Sequence, residues 1–193
     1  MIVYLHGFNS SPQSHKAQVL GRYMKERGLG AHYACPALPP LGGDAVAAIE
    51  ALMARHAGVP FCFVGSSLGG FYATHLAEQR GAKAVLINPA IEPHIGLRAY
   101  LGEQKNLHTG EPYQLTEAHL REWRELWAPR ITPSRYLLIV ETGDEVLDYR
   151  KAVQRYAGAD QVVIEGGDHS LQSFAQHLPR ILEFAGLRAP RGA

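Results

Sequence analysis

The chain has 193 residues, of which 46% are hydrophobic and 19% charged, and its formal net charge is +1. This length and apolar fraction suit one well-buried domain and are short for two. Its lysines and arginines form no basic stripe, so nucleic acid and anionic membrane surfaces are not indicated as partners, and a small-molecule substrate is expected.

The sequence contains two cysteines, Cys35 and Cys62. Because Cys62 falls in a predicted buried strand, we expect both thiols to be unpaired. The sequence has neither a C-x-x-C pair nor an H-E-x-x-H motif, so we expect no metal and no organic cofactor. The first residues lack a basic segment, a long apolar run and a cleavage site. We therefore expect a cytoplasmic protein without a membrane anchor.

The first predicted element is a central buried strand over the apolar residues 1–5, followed by His6, Gly7 and Phe8. A glycine directly after such a strand lets the backbone approach a ligand, so the Phe8 N–H is a candidate donor to an oxyanion. A His-Gly pair is otherwise often only a turn.

A helix is predicted from Pro12 to about Arg27, with Ser11 as the N-cap, because proline suits the first helical position and Ser11 can accept a backbone hydrogen bond. Residues 31–35 then read as a short strand. The proline-rich loop 36–43 is a possible wall of the site, and Asp44 is the predicted cap of a helix ending near residue 56.

The most informative stretch is 61–79, in which four apolar residues lead into Gly65-Ser66-Ser67-Leu68-Gly69 and then into a helical pattern. Strand, sharp turn and helix in this order are typical of a nucleophile elbow, which lifts the hydroxyl of Ser67 clear of the backbone. The Leu68 N–H, at the start of the helix, can then point toward an oxyanion. The alternative is an ordinary turn rich in glycine and serine.

Residues 83–87 read as the next buried strand, and Asn88 follows it as a candidate substrate-binding residue or a plain turn. From residue 91 to 135 we expect an insertion or small cap, in which residues 91–130 contain no strand. In it Thr116 caps a helix that presents Leu120, Trp123 and Trp127 on one face. This helix either covers the mouth of the site, which we slightly favour, or completes the outer layer of the fold.

Two further strands are predicted, at 136–140 and 162–164, and they lead to Asp144 and His169 respectively. With Ser67 these residues give the chain order serine, acid, histidine, each on a loop after a buried strand. In a catalytic triad of this kind the histidine takes the proton of the serine hydroxyl, and the acid fixes which ring nitrogen of the histidine carries a proton.

Other residues compete for these roles. Asp148 is expected to cap a helix, Glu145 to point off the loop, and Asp168 to diverge from its neighbour His169. His6 belongs to the loop of the first strand, whereas His75 and His177 fall inside predicted helices. We therefore expect Asp144 as the acid and His169 as the base.

Five segments carry a resemblance to a known family: YLHGFNSSPQSHKA, VGSSLGGFYATHLAE, LINPA, ETGDEVLDY and GGDHS. On these the sequence resembles the α/β-hydrolases and is similar to the small YqiA/YcfP-like bacterial esterases. The resemblance implies a compact hydrolase core without the first two strands of the full sheet. It further implies esterase activity on short acyl esters and a suspected thioesterase activity on acyl-CoA. Position by position, it makes Ser67 the nucleophile, Asp144 the acid and His169 the base, with the Phe8 and Leu68 N–H groups as oxyanion donors.

The expected fold is a single α/β domain over 1–193, a three-layer α/β/α sandwich with a mostly parallel sheet of five to seven strands. The expected function is a serine esterase acting on short-to-medium acyl esters through an acyl-enzyme. The alternatives are an acyl-CoA thioesterase and a hydrolase-fold binding protein without turnover. The cationic candidates for the thioesterase are Arg98, Lys105, Arg121 and Arg124. The oligomeric state stays open.

Overall fold

The computed structural model describes residues 1–188 and forms eight strands and seven α-helices in this part of the chain. The strands are β1 (Ile2–Leu5), β2 (Tyr33–Ala34), β3 (Cys62–Ser66), β4 (Lys83–Ile87), β5 (Gly102–Lys105), β6 (Pro112–Leu115), β7 (Tyr136–Glu141) and β8 (Asp160–Ile164). The helices are α1 (His15–Glu26), α2 (Gly42–Ala54), α3 (Leu68–Arg80), α4 (Pro93–Gly96), α5 (Glu117–Glu125), α6 (Tyr149–Arg155) and α7 (Leu178–Phe184).

Six strands build one parallel sheet in the order β2-β1-β3-β4-β7-β8. Its central strands are mainly apolar, as is typical of parallel strands that are covered on both faces. On one face α1 and α7 pack against residues such as Ile2, Val64 and Ile139. On the other face α2, α3, α5 and α6 pack against residues such as Val3 and Leu138. The predicted α/β/α sandwich is therefore confirmed.

Several predicted helix starts are displaced. The Ser11 hydroxyl accepts the Gln13 N–H at 3.1 Å, which closes a local turn, and α1 begins at His15 with Ser14 in the N-cap position. Similarly, α2 begins at Gly42, so Asp44 lies in its first turn and is not the cap. Side chains that bond their own neighbouring backbone in a turn look like helix caps in the sequence.

The prediction of a strand-free segment between 91 and 130 is wrong. Strands β5 and β6 form an antiparallel hairpin, with Gly102 opposite Leu115 and Lys105 opposite Pro112. Asn106 closes the turn, since its Oδ1 accepts the N–H groups of His108 at 2.9 Å and Thr109 at 3.0 Å. These strands are short and polar, so the apolar periodicity that identifies the other strands is missing here.

Helix α5 lies in the outer layer of the sandwich, which differs from the slightly favoured placement over the mouth. Trp123 is fully buried, and its Nε1–H donates to the Tyr72 hydroxyl at 2.7 Å. Leu120 is buried beside it, and Trp127 packs at the edge of the same core after the helix has ended. The hairpin, and not the helix, reaches the loop that follows β1.

Both cysteines are free thiols, as expected, and burial raises the pKa of each to about 12. None of the helices within 1–188 combines the length and the apolar character that crossing a membrane requires. The sequence also predicts a frayed tail for residues 188–193, and beyond Arg188 this prediction lies outside the described residues.

Candidate active site

Ser67 occupies the corner between β3 and α3 with φ 55° and ψ −122°, a strained conformation for a residue with a side chain. The corner is tight because strand and helix nearly touch. A Cβ on Gly65 would collide with the Gly69 carbonyl, and one on Gly69 with the Leu5 carbonyl oxygen. Ser67 itself is half-buried, so its hydroxyl is held at the surface of the fold and not in the core.

The backbone of Ser67 is tied to the end of β4. Its N–H donates to the Ile87 carbonyl at 3.0 Å, and its carbonyl accepts the N–H groups of Gly70 at 2.9 Å and Ala90 at 3.0 Å. These bonds hold the strained corner against the neighbouring strand.

Two backbone N–H groups belong to segments that adjoin this corner. Gly7 lies against the corner, since a Cβ built on it would be 3.2 Å from the Ser67 Cβ and 3.7 Å from its Oγ. Phe8 follows Gly7, and Leu68 is the first residue of α3. Within residues 1–188 neither the Phe8 nor the Leu68 N–H donates a hydrogen bond. Both donors are therefore free for an oxygen beside Ser67.

Asp144 and His169 are brought together at the ends of β7 and β8. The His169 Nδ1 lies 2.8 Å from Asp144 Oδ2, while Asp144 Oδ1 accepts the N–H groups of Val146 and Leu147, each at 2.8 Å. Burial raises the pKa of Asp144, but these hydrogen bonds outweigh it and hold the pKa below its usual value. The carboxylate thus stays ionised, fixes the proton of the ring on Nδ1 and leaves Nε2 for a reacting group.

The competing carboxylates are engaged elsewhere. Glu145 accepts the backbone N–H of His169 at 3.0 Å, and Asp168 accepts that of Ser170 at 2.8 Å. Asp148 caps α6 by accepting the Arg150 N–H at 3.0 Å. Asp144 is thus the acid that touches the ring.

The competing histidines are engaged as well. The His6 Nε2 accepts the Leu38 N–H at 3.0 Å, so the buried ring ties the loop after β2 to the loop after β1. His75 bonds the Leu126 carbonyl at 2.8 Å and His177 the Ser173 hydroxyl at 3.2 Å. Within 1–188 no group of histidines, cysteines and carboxylates is arranged to hold a metal ion.

Asn88 was a candidate substrate-binding residue, but the structure gives its side chain another role. Its side chain is 2% exposed, and its Nδ2 donates to the carbonyls of Asp168 at 3.1 Å and His169 at 3.2 Å. Its Oδ1 accepts the Glu141 N–H at 3.1 Å. With both amide hydrogens used, Asn88 holds the segment that carries His169 and does not present a donor to a substrate.

Glu141, the last residue of β7, is a site residue that the sequence analysis missed. Although it is 1% exposed, its carboxylate accepts the N–H groups of Asp168 at 2.9 Å and Ser173 at 3.1 Å and the Ser173 hydroxyl at 2.6 Å. Burial raises the pKa of Glu141, but these hydrogen bonds outweigh it and lower the pKa overall. In the sequence, the signal that indicates a buried, hydrogen-bonded carboxylate is a glutamate directly after the apolar run 136–140.

A cleft of about 910 Å³ opens beside the two free N–H groups. Its walls come from the loop 6–13 after β1, the loop 37–40 after β2 and the hairpin segment 106–113, with Leu68 and Tyr72 contributed by α3. Gly7, Phe8 and Leu68 are among its lining residues, whereas Ser67 and His169 are not.

Comparisons with known proteins agree with this fold. The model of the Uncharacterised protein family (UPF0227) matches residues 1–186. One similar solved structure belongs to the metagenome-derived lipolytic enzymes LipS and LipT, with TM-score 0.71 and 19% identity over 96% of this chain and 92% of that one. Another is alpha/beta hydrolase domain-containing protein 10 from mouse, with TM-score 0.70 and 18% identity over 94% and 87%. A third is the monoacylglycerol lipase of Paleococcus ferrophilus, with TM-score 0.64 and 17% identity over 95% and 93%. The expected resemblance to α/β-hydrolases is therefore confirmed for the fold.

Proposed function

This chain belongs to the Uncharacterised protein family (UPF0227), and we propose that it is a serine esterase that hydrolyses short-to-medium acyl esters with Ser67, His169 and Asp144. The observation that carries the proposal is the 2.8 Å contact between His169 and Asp144, at the same sheet edge as a strained serine corner with two free N–H groups. Lipolytic enzymes and a monoacylglycerol lipase among the proteins of similar fold support the choice of an ester substrate.

In the first half-reaction the Ser67 Oγ attacks the ester carbonyl carbon while the His169 Nε2 takes the hydroxyl proton. The carbonyl oxygen becomes an oxyanion, which accepts hydrogen bonds from the Phe8 and Leu68 N–H groups. As the bond to the leaving oxygen breaks, His169 returns the proton to that oxygen. An alcohol departs and the acyl group stays on Ser67.

In the second half-reaction His169 takes a proton from water, and the oxygen of this water attacks the acyl carbon. The bond between the acyl carbon and the Ser67 Oγ then breaks, and His169 gives the proton back to Oγ. Asp144 remains a carboxylate throughout and stabilises the imidazolium in both steps. The product acid leaves and the enzyme is regenerated.

An ester is favoured over an acyl-CoA thioester because three of the four cationic residues considered for CoA are paired or lie on α5, whereas Lys105 alone lies on the hairpin strand β5. The Arg98 guanidinium pairs with Glu117 at 2.9 Å, and Arg121 and Arg124 are exposed on α5, which belongs to the outer layer. Among the described residues no lysine or arginine lines the cleft.

A fluorophosphonate probe and a nitrophenyl butyrate assay test the proposal together. The wild type should be labelled and should release nitrophenol, whereas Ser67→Ala should do neither. Ser66→Ala, which alters the adjacent serine, is the matched control and should keep the label. Absence of labelling and of turnover in the wild type would instead favour a binding protein without catalysis.

A further inference from the structure

The cleft and the oxyanion donors form one continuous surface. Phe8 and Leu68, whose N–H groups donate no hydrogen bond within residues 1–188, both line the cleft. Gly7, which touches Ser67, lines it as well. A carbonyl group held by these N–H groups therefore has one of its substituents directed into the cleft.

The lining of the cleft is mainly apolar. Its apolar walls are made by six residues in particular: Phe8, Leu38, Pro39, Pro40, Leu68 and Tyr113. Among the described residues that line the cleft, Glu111 is the one acidic residue, and none is a lysine or an arginine. An uncharged apolar group gains from burial in such a cleft, whereas a carboxylate would lose its hydration without meeting a cation.

The position of His169 decides which part of the ester enters the cleft. The leaving oxygen must lie next to His169, because this residue donates its proton. Neither His169 nor its neighbours in the loop 165–172 lines the cleft. The leaving group thus departs on the His169 side, and the acyl chain is the substituent that points into the cleft.

Both walls of the cleft are held by hydrogen bonds to residues close to Phe8 in the chain. On one side Asn9 donates to Gln104 at 3.1 Å and accepts the Tyr113 hydroxyl at 2.7 Å, which docks the hairpin on this loop. On the other side the His6 ring accepts the Leu38 N–H at 3.0 Å. The cleft is therefore preformed, and its length limits the chain that it can hold.

On these grounds, and resting on the proposed esterase function, we propose that this cleft binds the acyl chain of the substrate, an uncharged aliphatic chain of medium length. Each added methylene should raise kcat/KM about threefold to fourfold until the cleft is filled, the equivalent of about 0.8 kcal/mol per buried CH₂. A carboxylate at the far end of the acyl chain should reverse this gain.

The test is a series of nitrophenyl esters from acetate to octanoate, assayed with the wild type and with Ala37→Trp and Leu38→Trp. Each tryptophan fills the cleft from the wall at 37–40, so the hexanoate-to-acetate ratio of kcat/KM should fall at least tenfold. Ala37 is exposed, so Ala37→Trp should fold even if Leu38→Trp does not. Val59→Trp, at the amino ends of the strands, is the matched control and should leave the ratio at the wild-type value.

A second series keeps the acyl group as butyrate and lengthens the alcohol. If the two tryptophans lower turnover of the long alcohols and spare the long acyl chains, the cleft holds the leaving group and the inference is wrong. It is also wrong if neither series responds while the wild type still turns over butyrate. Loss of probe labelling and of all turnover in the wild type would instead contradict the proposed function itself.

Discussion

Asn88 donates both hydrogens of its side-chain amide to the segment that carries His169, one to the Asp168 carbonyl and one to the His169 carbonyl itself. Two residues further on, the Ala90 N–H donates to the Ser67 carbonyl. The connection after β4, residues 88–92, thus contacts both the segment that carries His169 and the corner at Ser67. This connection therefore sets the spacing between Ser67 and His169.

Replacing Asn88 by alanine should therefore lower kcat more than it changes KM. The His169 segment would lose two hydrogen bonds and the Glu141 N–H its acceptor, so the ring would no longer be held in one position. A misplacement of about 1 Å costs up to a hundredfold in rate. We expect kcat for a butyrate ester to fall tenfold to a hundredfold, with KM within about twofold, in steady-state assays well below the unfolding temperature.

Thr74→Val is the matched control for this variant. The Thr74 hydroxyl is buried and bonds the Gly70 carbonyl at 2.9 Å and the Tyr156 hydroxyl at 2.7 Å, away from His169. Its loss should lower the free energy of unfolding by about 1–3 kcal/mol and leave kcat near the wild-type value. A wild-type kcat in a destabilised Asn88→Ala would show that Asn88 supports the fold alone.

The sequence predicted the sheet and the elbow because their signals are local. Continuous apolar runs such as 84–87 and 136–140 identify buried parallel strands. Ser67 directly follows β3, and His169 lies on the loop after β8. The roles of Asn88 and Glu141 were not predictable in this way. Their hydrogen-bond partners lie 27 to 81 residues away in the chain, so they depend on which loops the finished sheet brings together.

The hairpin was missed for a related reason. Its strands, GEQK and PYQL, are only four residues long. GEQK has no apolar alternation, and PYQL alternates over Tyr113 and Leu115 alone. Contacts with the loop after β1 also hold the hairpin in place. Asn9 bonds Gln104 and Tyr113, which are 95 and 104 residues away. The position of this wall of the cleft therefore depends on long-range contacts, which the local sequence does not reveal.

Acid should destabilise this protein through Glu141. Its folded pKa lies below its ordinary value of 4.5, so the unfolded chain binds the proton more readily. The stabilisation from this carboxylate is complete above its ordinary pKa and is lost as the pH falls through the lowered pKa. Urea unfolding of the wild type should show a free energy that drops below about pH 4.5.

Glu141→Gln, which has no titrating group here, should have a shallower drop, starting from a lower stability at neutral pH. Glu165→Gln removes an exposed carboxylate of the neighbouring loop and should follow the wild-type curve. Parallel curves for all three proteins would mean that Glu141 is not the group whose protonation weakens the fold.

Asp144→Asn should nearly abolish turnover while leaving the fold intact. An asparagine amide presents a donor where the ring needs an acceptor, so the wrong nitrogen of His169 carries the proton. We expect kcat/KM for a butyrate ester to fall on the order of a thousandfold or more. Asp148→Asn is the control, because asparagine also caps helices well and should keep α6 and the activity. Comparable activity in the two variants would remove Asp144 from the mechanism.

Gly69→Ala should prevent folding, because its Cβ would press on the Leu5 carbonyl oxygen at the end of the fully buried strand β1. Neither the strand nor the elbow helix can move aside in a close-packed core, so a loss of more than about 4 kcal/mol is expected. Gly96→Ala is the matched control: Gly96 is helical, nothing lies within 4 Å of its added Cβ, and stability should stay equal or rise by up to about 1 kcal/mol. Soluble yield and thermal unfolding measure the effect of both substitutions.

The close approach of Gly69 to Leu5 joins the end of β1 to α3. Phe8 follows β1 in the chain, and Leu68 begins α3. A Gly69→Ala variant that folds and is fully active would mean that the proposed oxyanion donors, the Phe8 and Leu68 N–H groups, do not depend on this close approach.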